Sequence, residues 1–200
     1  MAKKPKQMEV TTWHWSGPIL GLDLSLTGTG WSISQLPDCL LPTLESGMME
    51  TKGLGDFERL DYILQRIMQL VADPKPLVIL EDFSFASKGQ AVFQIGGLGY
   101  LVRHALWKLG IPFLVVAPTL LKKFVSGKGN VDKNVILKEV FKRWQFDTND
   151  DNIADAFVLM QIGRCLAGQL PAQNEVQVKI ISELYKNIPG MLAGMDSNQQ

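Results

Sequence analysis

An α/β fold, a mixed five-stranded sheet with helices on both faces, follows from three features of this sequence. Short apolar runs read as buried strands, longer segments carry apolar residues at helical spacing, and the two alternate after an opening set of three strands. The run Ile19 to Leu24 starts the sheet, and the turn Ser25-Leu26-Thr27-Gly28 follows it. Gly30-Trp31-Ser32-Ile33-Ser34 alternates as a half-buried second strand. A third lies near Leu44 to Thr51, with Met48 and Met49 as packing groups, and Gly53 and Gly55 end this meander.

From Asp56 onward, Leu60, Ile63, Leu64, Ile67, Leu70 and Val71 recur at helical spacing until Pro74 and Pro76 stop the helix. Leu77 to Glu81 is the fourth strand. A second long helix runs from Gln90 to Leu109 and ends at Gly110, and Pro112 to Val116 is the clearest strand of all. Pro118 begins a short helix through Phe124, and the glycine-rich basic loop Ser126-Gly127-Lys128-Gly129-Asn130 follows. A helix from Val131 to Trp144 precedes a last core helix with Ile153, Ala156, Phe157 and Met160 at helical spacing. A polar break over 169–174 leads to an amphipathic segment, Val176 to Tyr185.

With 46% hydrophobic residues, 200 residues supply one full core. The expected organisation is a basic flexible arm over 1–16, one domain over 17–168, and a C-terminal extension over 169–200 with a disordered end. No apolar stretch is long enough to span a bilayer, and no apolar segment follows the basic N-terminus as a secretory signal requires. Cys39 and Cys165 are isolated and make no zinc pattern, so a reducing, cytoplasmic compartment is expected. Two histidines, His14 and His104, give a His-rich metal site or a serine-type triad little material. The formal charge is zero, which confines any nucleic-acid surface to a local patch. Of the five tryptophans, Trp31 and Trp107 are expected in the core, and Trp13 and Trp15 are the pair considered for a surface.

Four acids stand out. Asp23 and Glu81 each close a short apolar run, so two buried strands deliver one carboxylate apiece to a sheet edge. Asp151 and Asp155 are four apart at the start of a helix, on one face, where like charges repel unless a cation lies between them. Such a cluster calls for a hard divalent cation, and Mg²⁺ fits best, with Mn²⁺ as its substitute. Each acid alone has an ordinary reading: a turn-initiating Asp, a solvated strand end, a helix N-cap. Lys122, Lys123, Lys128 and Lys133 cluster beside Gly127 and Gly129, a pattern that favours phosphate contact over a solvated face in a chain of zero net charge.

The order of elements fits the ribonuclease-H-like architecture, and the motifs resemble those of RuvC-type Holliday junction resolvases. Ile19 to Trp31 looks like that family's first strand, catalytic Asp, turn and second strand. Val78-Ile79-Leu80-Glu81-Asp82-Phe83 looks like its strand-borne catalytic Glu, and Ala117 to Lys133 is similar to its basic stretch. Asp151 to Met160 resembles its final acidic helix, so the likeness covers Ile19 to Leu166. It implies a homodimeric, structure-selective endonuclease for four-way DNA junctions using two metal ions about 4 Å apart, while the compactness of the chain points to a bacterial or phage-infected cell. In that scheme Asp23 bridges both ions, Glu81 binds one, and Asp151 and Asp155 complete the set. Lys133 or Lys122 stabilises phosphoryl charge while the other positions the backbone.

Two departures from the family pattern matter. Bacterial members space the last two acids three apart, which would put the earlier one at Asn152. Spacing of four resembles yeast mitochondrial relatives, so Asp151 is paired with Asp155, with Asp150 also open. The junction-wedging Phe three places after the Glu is missing, and Phe83 and Phe85 flank that place, so one or the other is expected to contact DNA in its stead. Three competing readings are a nuclease of the same fold acting on other branched DNA or RNA, an actin-like nucleotide site at Asp23 to Gly30, which needs a second domain, and a junction-binding protein without catalysis.

Overall fold

The computed structural model describes residues 13–35, 43–83 and 90–188. Its strands are β1 (Ile19–Asp23), β2 (Gly28–Gln35), β3 (Thr43–Glu50), β4 (Leu77–Glu81) and β5 (Phe113–Val116). Its helices are α1 (Asp56–Leu70), α2 (Gln90–Lys108), α3 (Pro118–Ser126), α4 (Lys133–Trp144), α5 (Asp151–Leu166) and α6 (Glu175–Tyr185). The strands form one sheet in the order β3-β2-β1-β4-β5. β1 to β3 are an antiparallel meander, while β4 and β5 join parallel to β1 through helical crossovers.

Period-two alternation sorts each central strand between two cores. Leu20, Leu22, Val78 and Leu80 pack with Ile63 and Ile67 of α1 and with Leu98, Val102 and Leu106 of α2. Ile19, Leu77 and Ile79 turn the other way, into a second core with Phe124, Val140, Phe157 and Ile162. Asp23 and Glu81 continue the odd-numbered rows 19, 21, 23 and 77, 79, 81, so both carboxylates fall on the α5 face. The parallel register pairs Leu22 with Leu80, which sets these acids side by side one step further on.

α5 is buried without interruption from Ala156 to Leu166, as a helix enclosed on all sides must be. Glycines let it lie close on the sheet. A Cβ at Gly21 would collide with the Ala156 carbonyl oxygen, and one at Gly30 with that of Asn152. Gly163 returns the favour, since a Cβ there would sit 2.5 Å from Ile19 Cγ2. Asp150 caps α5 by accepting from the Ile153 N–H at 3.0 Å. At its far end the Leu166 carbonyl accepts from Trp13 N–H at 3.0 Å.

Several elements differ from expectation. Trp107 is 42% exposed rather than in the core, because Leu98, Val102 and Leu106 already occupy the inward face of α2. Trp13 and Trp15 pack against the α5-side core, and Trp15 donates to the Pro18 carbonyl at 3.0 Å. α4 begins at Lys133 rather than Val131. α6 seats Ile180, Ile181 and Leu184 in the α5-side core, with Gln177 donating to the Phe124 carbonyl at 3.1 Å.

Candidate active site

At the carboxyl ends of β1 and β4 the sheet opens into a cleft of about 480 Å³. Asp23, Glu81, Asp151 and Asp155 line it, together with Lys122, Lys133 and Asn152. Three independent elements, two strands and a helix, therefore bring the acids to one place. Asp23 is only 9% exposed, so its charge is not relieved by water.

The electrostatics follow from that burial. Burial raises Asp23 above the ordinary carboxylate range, against the hydrogen bond it accepts from Glu81 and the positive charge of Lys133. Glu81 is pushed up to about 9, first by burial and then by the Asp23 charge and the proton shared with it. Asp155 rises to about 7, again from burial first and Asp23 second, with Lys122 and Lys133 opposing. Enclosure and the neighbouring Asp23 charge thus hold the Glu81 proton and part of that on Asp155, a perturbation of the kind found where carboxylates crowd together.

The donor set suits a hard divalent ion, being all carboxylate oxygen. Among the described residues no three acids are drawn into a ready-made metal-binding group. Other positive charge occupies them: Asp23 and Glu81 share a proton, and Asp151 forms an ion pair with Lys133. A cation entering the cleft would replace the proton and free the lysine.

The residues around the last acid separate by role. Asp150 spends a carboxylate oxygen on the α5 cap and borders a different hollow, with Thr148 and Asn149. Asn152 donates to the Gly28 carbonyl at 2.7 Å and pins the start of β2 beneath α5. That clamp was not visible in the sequence, where Asn152 stood only as an alternative acid position.

The basic segment splits in two. Lys122 and Lys133 line the cleft, whereas Lys123 and Lys128 are exposed outside it. Gly127, with φ of 79°, ends α3 in a left-handed turn that carries Lys128 away. Phe83 does not project into the open: its ring lies against Gly99, with the Arg103 guanidinium 4.6 Å from its centroid. Arg103 also pairs with Asp82 at 2.9 Å, a contact nothing in the sequence announced. Phe85 lies outside the described residues.

Comparison with known proteins places these features. A family model described as crossover junction endodeoxyribonuclease RuvC matches residues 19–162. A protein of that name from Synechococcus sp. (strain WH7803) is 26% identical over 149 residues, covering 72% of this chain and 96% of its own. Another, from Afipia carboxidovorans, is 31% identical over 120 residues, covering 59% of this chain and 70% of its own. The structure titled T. thermophilus RuvC in complex with Holliday junction substrate matches with a TM-score of 0.63 at 19% identity, over 76% of this chain and 97% of that one. That likeness establishes the ribonuclease-H-like fold. The family match runs through every element that lines the acidic cleft, and the chain belongs to the RuvC family of crossover junction endodeoxyribonucleases.

Proposed function

We propose that this chain resolves four-way DNA junctions as a homodimer, by Mg²⁺-dependent phosphodiester hydrolysis in the cleft at the ends of β1 and β4. The observation that carries the reading is the convergence of Asp23, Glu81 and Asp155, from three separate elements, on one cleft edged by lysines. Asp23, Glu81, Asp151 and Asp155 would hold the metal. When bound, it supplies the Lewis acidity and positive charge that phosphodiester hydrolysis requires.

The chain's own groups do the rest. Asp23 is coupled electrostatically to both Glu81 and Asp155, as the central acid of such a set would be. Lys133 and Lys122 face the acids and meet the charge of the phosphoryl oxygens. Lys123 and Lys128, outside the cleft, follow the DNA backbone beyond the cut.

A dimer is supported by α2. Phe93, Gly97, Tyr100, His104 and Trp107 recur along one exposed stripe at spacings of four, three, four and three. Phe93 is 83% and Tyr100 70% exposed, and among the described residues nothing lies within 4 Å of a Cβ at Gly96 or Gly97, so a second helix can approach closely. Two copies related by a two-fold axis would present two clefts to opposed strands of a junction. Among the described residues no helix is long and apolar enough to cross a membrane, and the bacterial relatives support action in a bacterial or phage-infected cytoplasm.

The test is cleavage of a synthetic four-way junction beside linear duplex, with and without Mg²⁺, by the natural chain and by Asp23→Asn. Paired symmetric nicks that need both Mg²⁺ and Asp23 support the proposal. Cutting of flaps or RNA structures in preference to the junction would move the substrate, and tight binding with no cut under any divalent ion would leave a junction-binding protein.

A further inference from the structure

α3 carries Lys122 to the acidic cleft and ends in the turn that bears Lys128, so the place where this helix stops decides where both lysines stand. Its last turn is not finished by its own backbone. The Gly127 N–H donates to the Lys123 carbonyl at 2.9 Å. The Lys128 N–H, which a continuing helix would aim at the Phe124 carbonyl, donates instead to Ser126 Oγ at 3.1 Å. Among the described residues no backbone N–H reaches the Phe124 carbonyl, and its donor comes from another helix: Gln177 Nε2, at 3.1 Å.

Gln177 is itself held for that contact. It lies in the first turn of α6 and is 1% exposed, with both ends of its carboxamide in use. Oε1 accepts from the Gln173 N–H at 2.7 Å, and the Gln177 N–H donates to the capping side chain of Asn174 at 3.0 Å. Further along α6, Ile180, Ile181 and Leu184 share one core with Leu121, Phe124 and Val125 of α3. All of α6 lies beyond residues 19–162, the span of the family match.

We propose that α6 braces the basic end of α3, with Gln177 as a positioning residue for cutting: by holding the Phe124 carbonyl it keeps Lys122 in the cleft and Lys128 out on its turn. The proposal rests on the nuclease reading of the cleft. A buried carbonyl demands a donor. With Gln177 removed, helix geometry offers the Lys128 N–H, and its capture winds Gly127 and Lys128 into a further turn of α3. Ser126 Oγ, which also lies 2.9 Å from the Lys122 carbonyl, loses its donor, so the turn that carries Lys122 shifts with the rest.

The experiment measures single-turnover cutting of one fixed four-way junction in Mg²⁺, with protein in saturating excess so that affinity through Lys128 does not enter. Gln177→Met keeps the length of the side chain and removes the donor. Ile181→Ala, on the same helix, removes packing and leaves the hydrogen bond. Each is made in the natural chain and in Lys122→Ala, and compared at a temperature where circular dichroism shows the chains folded. Gln177→Met is expected to slow the natural chain about tenfold and the Lys122→Ala chain less than about twofold, because a buried acceptor without its donor shifts the turn by that order and only a lysine that is present can be misplaced. Ile181→Ala should act alike on both backgrounds. Asn174→Ala, which only uncaps α6 at the surface, should repeat the Gln177→Met pattern at smaller size, and it stands in if Gln177→Met does not fold. Equal slowing of both backgrounds, or no slowing, would overturn the positioning role. Backbone chemical shifts over 126–129 are read in parallel on the metal-free chain. They should move from turn to helical values in Gln177→Met and stay in place in Ile181→Ala; unchanged shifts in Gln177→Met would overturn the brace whether or not the chain cuts DNA. A natural chain that cuts nothing under any divalent ion would sink the nuclease reading and, with it, the role of Gln177 in cutting, while the shifts still decide the brace.

Discussion

Glu81 donates a proton to Asp23 across the ends of two parallel strands, so these adjoining acids share one negative charge instead of carrying two. The apolar rows beneath them leave no other arrangement, since Leu22 is paired with Leu80 and the next residue on each strand turns toward α5. On the other side of the cleft, Lys133 forms an ion pair with Asp151.

The shared proton makes the metal-free protein sensitive to alkali. Glu81 titrates near 9 and Asp155 near 7, above their unfolded values of 4.5 and 3.8. The folded chain holds more protons than the unfolded one, so stability is greatest below the unfolded values and declines as pH rises through 7 toward 9. Glu81→Gln retains a donor to Asp23 and removes the titration. At pH 8 its metal-free melting temperature should exceed that of the natural chain, by about 2–4 °C for each kcal/mol recovered. Thermal melts in chelator across pH check this; a lower value for Glu81→Gln at pH 8 would contradict it.

Metal entry should expel protons. At pH 7 Glu81 is protonated and Asp155 half so, and both must ionise to act as ligands. Titration calorimetry with Mg²⁺ in buffers of different ionisation enthalpy should register net proton release. Affinity should rise with pH, by about tenfold per unit for each proton displaced. A pH-independent affinity between 6 and 8 would place the metal elsewhere.

The four lysines should divide by position. Lys122→Ala and Lys133→Ala, within the cleft, are expected to lower the cutting rate by about 10²-fold with modest loss of junction affinity. Lys123→Ala and Lys128→Ala should leave the rate on bound DNA near normal. Each of these two should weaken binding and reduce the salt slope by about one. Single-turnover rates and binding isotherms at several salt concentrations separate the two outcomes.

Close contact under α5 gives a stability prediction. Gly21→Ala would drive a methyl group into the Ala156 carbonyl, and neither backbone can give way easily. A loss of at least about 1–3 kcal/mol is expected in urea denaturation. Cutting should fall as well, because the same helix holds Asp151 and Asp155.

The proposed dimer can be tested on the same terms. Gly97→Glu adds a charge where a Cβ meets none of the described residues within 4 Å, so the fold of the single chain should be retained. Sedimentation should then show monomer, and the paired nicks of the natural enzyme should become single ones. A dimer unaffected by this change would move the interface off α2.

Much of the site was legible because strands obey a period of two. An apolar run of fixed phase that ends in an acid tells which face the acid will take, and this was readable for Asp23 and Glu81. The helix was harder. Asp150, Asp151 and Asn152 are all plausible first-turn residues, and only the contacts sort them into a cap, a cleft acid and a clamp on Gly28. Trp107 was misplaced because α2 carries apolar residues on two faces, one buried at Leu98, Val102 and Leu106, the other exposed at Phe93, Tyr100 and Trp107. The Arg103 bracket was beyond reach, since it joins residues across the fold and no local pattern records it.

The seating of α5 on Gly21 and Gly30 also fixes when the enzyme can become active. Asp23 and Glu81 leave the ribosome early, but Asp151 and Asp155 arrive on nearly the last core element and reach the cleft only after that helix has docked on a finished sheet. On the proposed reading, a chain whose α5 has not docked holds only half of the acidic cluster.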